Sequence, residues 1–225
     1  MTSASQPLPT NHSHRQPQYR RSDDILVLTD IYQDDVNLAC WQAPPLDNVT
    51  LSFLDELRQT TPGVHIKTAL PASQAEAILT TYFPDHPGRT KLVDWLCQCI
   101  DLFAYLFDQQ RVGVRFRCLD QAMCPRFHVD NLAVRLVHTL TGPGTHWLQE
   151  DNLDRSKLGP RPAGQSDIEC GLIQDEQQIQ RLQAGDVALL KGSGWADSPV
   201  PALVHRSPTE DCSAGRWVLT LDLAD

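Results

Sequence analysis

Phe127-His128-Val129-Asp130 is the segment of this chain best suited to chemistry. On an extended strand, residues two apart project from the same face. His128 and Asp130 therefore stand together, with Arg126 beside them. A second histidine, His205, lies in Ala202–Arg206, and Arg216 opens the run Arg216–Asp222. Two histidines and one carboxylate can occupy one face of an octahedral Fe(II) and leave three positions open. A co-substrate such as 2-oxoglutarate would take two of them, and its far carboxylate needs a forked cation, for which Arg216 is the candidate. Arg126, Arg135 and Arg206 are alternatives for that carboxylate. The same three ligands would also suit Zn(II), with a water or His146 as the fourth.

The elements that must position these groups are legible in the hydrophobic pattern. Ile25–Leu28 and Val36–Trp41 read as short strands around a polar turn. Asn48 or Thr50 can cap a helix carrying Leu51, Phe53, Leu54 and Leu57, which should stop by Pro62-Gly63. Val64–Lys67 alternates like an exposed strand. Residues 72–83 and 89–109 read as helices. The second is amphipathic, with Leu92, Val93, Leu96, Cys99, Ile100 and Phe103 at three- and four-residue steps. After Gln110 the texture becomes β: Val112–Arg117, Arg126–Asp130, Leu132–Leu140, Thr145–Leu148, Val187–Leu190, Ala202–Arg206 and Arg216–Leu223, with a turn at Gly142-Pro143-Gly144. The polar stretch 149–183 exceeds ordinary loop length, roughly 12 residues, and is the expected seat of substrate choice. The fold class expected is α+β, a C-terminal double-stranded β-helix (jelly-roll or cupin-like) covered by N-terminal helices. Residues 1–22, which include His12 and His14, read as a disordered tail and 23–225 as one compact domain. Within it, 23–110 forms a mixed α/β layer and 111–225 the jelly-roll core.

Composition narrows the classes. A net charge of -9 argues against nucleic acid as partner, and no apolar run reaches the roughly 18 residues of a membrane span. Of the 19 basic residues most are arginine, which suits an acidic small-molecule ligand. Seven cysteines without an apolar leader point to free thiols and a cytoplasmic location. Cys97 and Cys99 lie two apart on a helix and face different ways, and Cys118 and Cys124 lack paired CxxC knuckles. All four read as small buried hydrophobes. His138 reads as a core or rim histidine and so does His146, while Trp147 and Trp195 are candidates to line a pocket.

The order His128-x-Asp130, His205, Arg216 is similar to the HxD…H…R pattern of the Fe(II)/2-oxoglutarate-dependent dioxygenases over about 100 residues. A narrower resemblance spans most of the chain after the tail. Cys124–Asp130, Gly142–Leu148, Gly185–Gly192 and Val204–Pro208 resemble the bacterial DUF1826 family. The wider resemblance implies a jelly-roll dioxygenase in which His128, Asp130 and His205 hold iron and Arg216 binds 2-oxoglutarate. The narrower one keeps in view a cupin-like zinc protein of metal homeostasis or metal-assisted hydrolysis. A non-catalytic interaction module is the third reading.

Overall fold

Val112, Val114 and Phe116 are buried while Arg111, Gly113, Arg115 and Arg117 are less so, a period of two that gives the strand Arg111–Leu119 (β4) two unlike faces. In the computed structural model, which describes residues 16–61, 65–160, 162 and 164–224, this strand belongs to a seven-stranded sheet. The order is Gln18–Ser22 (β1), Val36–Gln42 (β2), Asp186–Lys191 (β8), Val134–Thr141 (β5), Arg216–Leu223 (β10), β4 and His65–Pro71 (β3). Only β1 and β2 run parallel; the other pairs are antiparallel. A second sheet joins Gln180–Arg181 (β7), His146–Trp147 (β6) and His205–Arg206 (β9). The protein is thus α+β.

One face of the large sheet is packed by helices Asn48–Thr60 (α1), Ala75–Thr80 (α2) and Arg89–Leu106 (α3). The stripe Leu92, Val93, Leu96, Cys99, Ile100 and Phe103 of α3 is buried against sheet residues such as Leu136, Leu219 and Val114. Each such side chain contributes roughly 1.5–3 kcal/mol by leaving water. Asp47 caps α1 by accepting from the Thr50 amide at 2.9 Å. On the other face the small sheet covers only half of the large one. Leu38, Cys40, Val137, Ala188, Leu190 and Val218 pack there with Trp147, Leu182 and Leu203. No described helix is long and apolar enough to cross a membrane.

Four expectations differ. Ile25–Leu28 is not a strand but the start of a 3₁₀ helix, Ile25–Tyr32, capped by the Asp24 carboxylate on the Leu26 amide. A short all-apolar run carries no period to tell helix from strand, and here Val27, Leu28 and Ile31 bury one side. Gln18–Ser22, expected in the tail, forms β1, held by Arg21 on Asp186 at 3.0 Å; residues 1–15 of the tail, with His12 and His14, lie outside the described residues. Arg126–Asp130 makes no ladder: a single bridge joins His128 to His205. Finally, β1, β2 and β3 precede residue 110, so the stretches expected to form separate layers share one sheet. The 149–183 stretch folds into 3₁₀ turns at Glu150–Asn152, Arg155–Lys157 and Glu176–Gln178. Asn152 ties it together, donating to the Asp175 carbonyl and accepting the Gln174 and Asp175 amides.

Candidate metal centre

Backbone pairing brings the two histidines together. The His128 amide donates to the His205 carbonyl at 3.0 Å and the reverse bond is 2.9 Å, leaving ring centroids 4.6 Å apart. Each ring is oriented by a carbonyl two residues back: Nδ1 of His128 lies 2.9 Å from Arg126 O, and Nδ1 of His205 lies 3.3 Å from Leu203 O. A carbonyl can only accept, so each Nδ1 carries the proton and each Nε2 presents its lone pair. Those lone pairs face one carboxylate. His128 Nε2 is 3.8 Å from Asp130 Oδ1, and His205 Nε2 is 3.5 Å from Asp130 Oδ2. One ligand atom from each of the three lies within 4.8 Å of the others. Burial holds the His205 imidazole below its ordinary value against the pull of Asp130, which keeps the ring neutral and able to ligate. Three electron-pair donors converge with no proton between them, and carbonyl-oriented histidines are the usual outer support of a metal. The residues fit a divalent cation.

Asp130 is itself clamped. Arg135 Nη1 donates to both its oxygens, at 2.8 and 2.9 Å. Arg135 Nε and Nη2 reach Asp222 at 2.7 and 3.1 Å, and Arg115 holds the same carboxylate at 2.7 Å. The Asp130 carbonyl accepts from the Ser193 amide at 2.8 Å and the Ser193 hydroxyl at 3.1 Å. Gly192 makes this approach possible, since a Cβ there would lie 2.1 Å from Leu132 O and 2.8 Å from Asp130 O.

Arg216 closes the other end of a cleft of about 450 Å³ whose walls include His128, His205, Arg135, Thr145 and Thr220. It is 3% exposed. Its Nε donates to Pro143 O at 2.8 Å, and Nη2 donates to the hydroxyls of Thr139 and Thr145, both at 3.2 Å. Its partners among the described residues are thus neutral oxygens, and burial pushes the guanidinium down to about 10, still charged at neutral pH. The Gly142-Pro143-Gly144 turn wraps it, and a Cβ on Gly144 would collide with Leu182 O at 1.8 Å.

Of the other sequence candidates, Arg206 lines the cleft, 4.3 Å over the Phe127 ring and 2.7 Å from Asp167 of the long loop. Arg135 lines it too. His146 does not join the three ligands; its Nε2 sits 2.9 Å from Glu210, and burial lowers its imidazole. Trp147 is buried between the sheets, edge-on to Tyr19 at 5.1 Å. Trp195 packs with Tyr32 and under Lys191, away from the cleft walls. Arg126 is exposed and contributes its carbonyl to His128. Sequence reasoning does not single out Asp222, Ser193, Thr139 or Thr145. Asp222 closes the alternation of Arg216–Leu223, and that pattern alone places it on the Arg216 face.

Among solved structures, the chain resembles an auxin-oxidising dioxygenase of Arabidopsis thaliana in a 2-oxoglutarate complex, at 9% identity and TM-score 0.50 over 92% of each chain. A rice dioxygenase for auxin oxidation gives 11% identity and TM-score 0.50, covering 92% of this chain and 83% of that one. A full-length Neurospora crassa protein in complex with alpha-KG and 5-formyluracil gives 9% and 0.50, covering 97% and 87%. At such identities the likeness is one of fold. No curated protein matches by sequence. A family model described as "Protein of unknown function (DUF1826)" matches residues 22–222, and this chain belongs to the DUF1826 family.

Proposed function

We infer that this protein is a non-haem Fe(II), 2-oxoglutarate-dependent dioxygenase on a jelly-roll frame, hydroxylating a substrate still to be identified. The observation that carries the reading is one cleft with two charge-matched ends. At one end the Nε2 lone pairs of His128 and His205 meet the Asp130 carboxylate. At the other lies a buried guanidinium whose partners are neutral oxygens. The fold likeness to a dioxygenase solved with 2-oxoglutarate and to a protein solved with alpha-KG supports it.

Iron and 2-oxoglutarate, when bound, would let dioxygen act as the oxidant, one oxygen atom entering a substrate C–H bond and the other entering succinate as 2-oxoglutarate loses CO2. The chain's residues do the rest. His128 and His205 give neutral nitrogen ligands whose orientation is set by backbone carbonyls. Arg135 keeps the Asp130 carboxylate from turning away. Arg216 holds the co-substrate's far carboxylate, with Thr139 and Thr145 fixing the guanidinium plane. Val137, Val218 and Leu119 line the cleft with apolar surface that excludes water from the reacting region. The seven free thiols suit a reducing compartment, and we place the activity in the cytoplasm.

The test is spectroscopic. Metal-stripped protein, reloaded anaerobically with Fe(II), should develop a weak visible charge-transfer band on titration with 2-oxoglutarate. His205→Ala should abolish the band with the metal. Arg216→Leu should keep the metal and weaken 2-oxoglutarate. Stoichiometric iron uptake with no band removes the co-substrate from the reading. Zinc that survives dialysis in a protein without affinity for 2-oxoglutarate replaces the oxygenase with a zinc-binding protein.

A further inference from the structure

The face of the large sheet that bears the cleft does not end at the cleft. Strand register carries it two strands further. Val218 and Thr220 of β10 line the cleft, and across from them on β4 stand Arg117 and Arg115. Across from those on β3 stand His65 and Lys67. Neighbouring strands lie roughly 4.8 Å apart, so four basic side chains form a compact block beside the candidate metal centre. The small sheet does not cover this half. Arg115 shares Asp222 with Arg135. Among the described residues Arg117 has the Met123 sulfur as its side-chain hydrogen-bond partner, and no carboxylate pairs with Arg117, Lys67 or His65. Burial lowers the His65 imidazole, and the charges of Arg117, Lys67 and Arg115 lower it further, so the block acts as a field of positive charge. In a chain of net charge -9 this concentration on one face has a use.

We propose that this face, His65, Lys67, Arg115 and Arg117, docks an acidic stretch of a polypeptide substrate and leads it to the cleft. Two observations favour a polypeptide over a nucleic acid. Among the described residues the face carries no Phe, Tyr or Trp ring on which bases stack, because Phe116 and Trp217 point into the helical core. The outer edge of β3 is the end of the sheet, and among the described residues no strand pairs with it, which leaves backbone groups for an extended peptide. Calling the ligand a substrate rests on the oxygenase reading; the docking itself does not.

The probe is a fluorescein-labelled ten-residue peptide of alternating Glu and Thr, followed by fluorescence anisotropy at low ionic strength, with the protein both metal-free and Fe(II)-loaded. Wild type should bind in both states, and more weakly as salt rises. Lys67→Glu with Arg117→Glu should weaken binding roughly tenfold or more, since two attractive charge contacts become repulsive. Lys91→Glu with Lys157→Glu, the same change in net charge elsewhere, should not. No binding by wild type, or equal losses in both double variants, overturns the proposal. Decathymidylate binding as tightly as the peptide, and lost with Lys67→Glu/Arg117→Glu, also overturns it in favour of a nucleic-acid surface. His205→Ala should bind the peptide like wild type. Peptide binding without the 2-oxoglutarate band sinks the oxygenase reading alone, and the band without peptide binding sinks the docking face alone.

Discussion

Two buried histidines, His138 in the large sheet and His205 in the small one, differ in one atom's surroundings. His138, 1% exposed, lies on the helix-packed face. Its Nδ1 meets Asp186 O at 2.9 Å, and its Nε2 accepts the Trp95 indole N–H at 2.9 Å. His205, 6% exposed, has its Nδ1 on Leu203 O but its Nε2 turned toward another lone-pair donor, Asp130. A buried imidazole with both nitrogens matched is complete as a structural group. One whose Nε2 faces only another lone pair on the wall of a cleft is incomplete, and a cation shared with His128 and Asp130 would complete it. Burial alone therefore does not separate core from site; completeness of hydrogen bonding does.

The all-or-none effect should come from breaking that contrast directly. Redox-inert Mn(II) at a hundred times its Kd should stabilise wild type by about 2.7 kcal/mol, a rise in Tm of roughly 5–10 °C for a chain of this size. His205→Ala should lose this rise entirely. His138→Gln should keep it while starting from a lower Tm. Thermal melts with and without metal test both, and a metal-dependent rise that survives His205→Ala would remove this histidine from the site.

Arg135→Leu comes next. It leaves Asp130 without its cation and Asp222 with only Arg115, both largely buried. Removing one partner of such a pair costs roughly 3–5 kcal/mol. Urea denaturation should report a loss in this range, and metal affinity should fall because the carboxylate is no longer held.

How much of this is legible in the sequence depends on range. The His128-x-Asp130, His205, Arg216 order is readable because ligand chemistry needs those types and β alternation places two of them together. The helix from Arg89 is readable because its buried stripe repeats. Ile25–Leu28 passes for a strand because an all-apolar run has no period, and β1 passes for tail because polar edge strands bury little. The Arg135–Asp222 pair joins residues 87 apart, and the His65–Arg117 block exists only through strand register. Neither leaves a local trace. His146 and Trp195 look available because histidine and tryptophan suit pockets, yet Glu210 and Lys191 engage them elsewhere.

The contrast between the two histidines sharpens in acid. Burial pushes His138 down to about 4, so the folded protein prefers the neutral ring. The unfolded chain takes up a proton near pH 6.5 and the native state does not, so stability is complete above about 6.5 and falls as pH drops toward 4. The contribution is on the order of 3 kcal/mol. His205 is lowered in the same direction, so wild type alone does not isolate it. The urea midpoint measured at pH 7 and at pH 4.5 should fall less in His138→Gln than in wild type. An equal fall would mean that His138 takes up its proton as readily in the native state as in the unfolded chain.

The smallest effect should be Arg115→Gln, and its size decides how the carboxylate clamp is built. Arg115 and Arg135 both hold Asp222, but Arg115 is 36% exposed against 18% for Arg135. Water screens the outer pair, and exposed pairs contribute roughly 0.2–1 kcal/mol. Asp222 would still accept from Arg135 Nε and Nη2, so Asp130 should stay in place. Urea denaturation should then show a loss below about 1 kcal/mol, with Mn(II) affinity unchanged. A loss matching that of Arg135→Leu would mean that the chain Arg115–Asp222–Arg135–Asp130 acts as one cooperative unit, anchored at the surface instead of at the metal ligand.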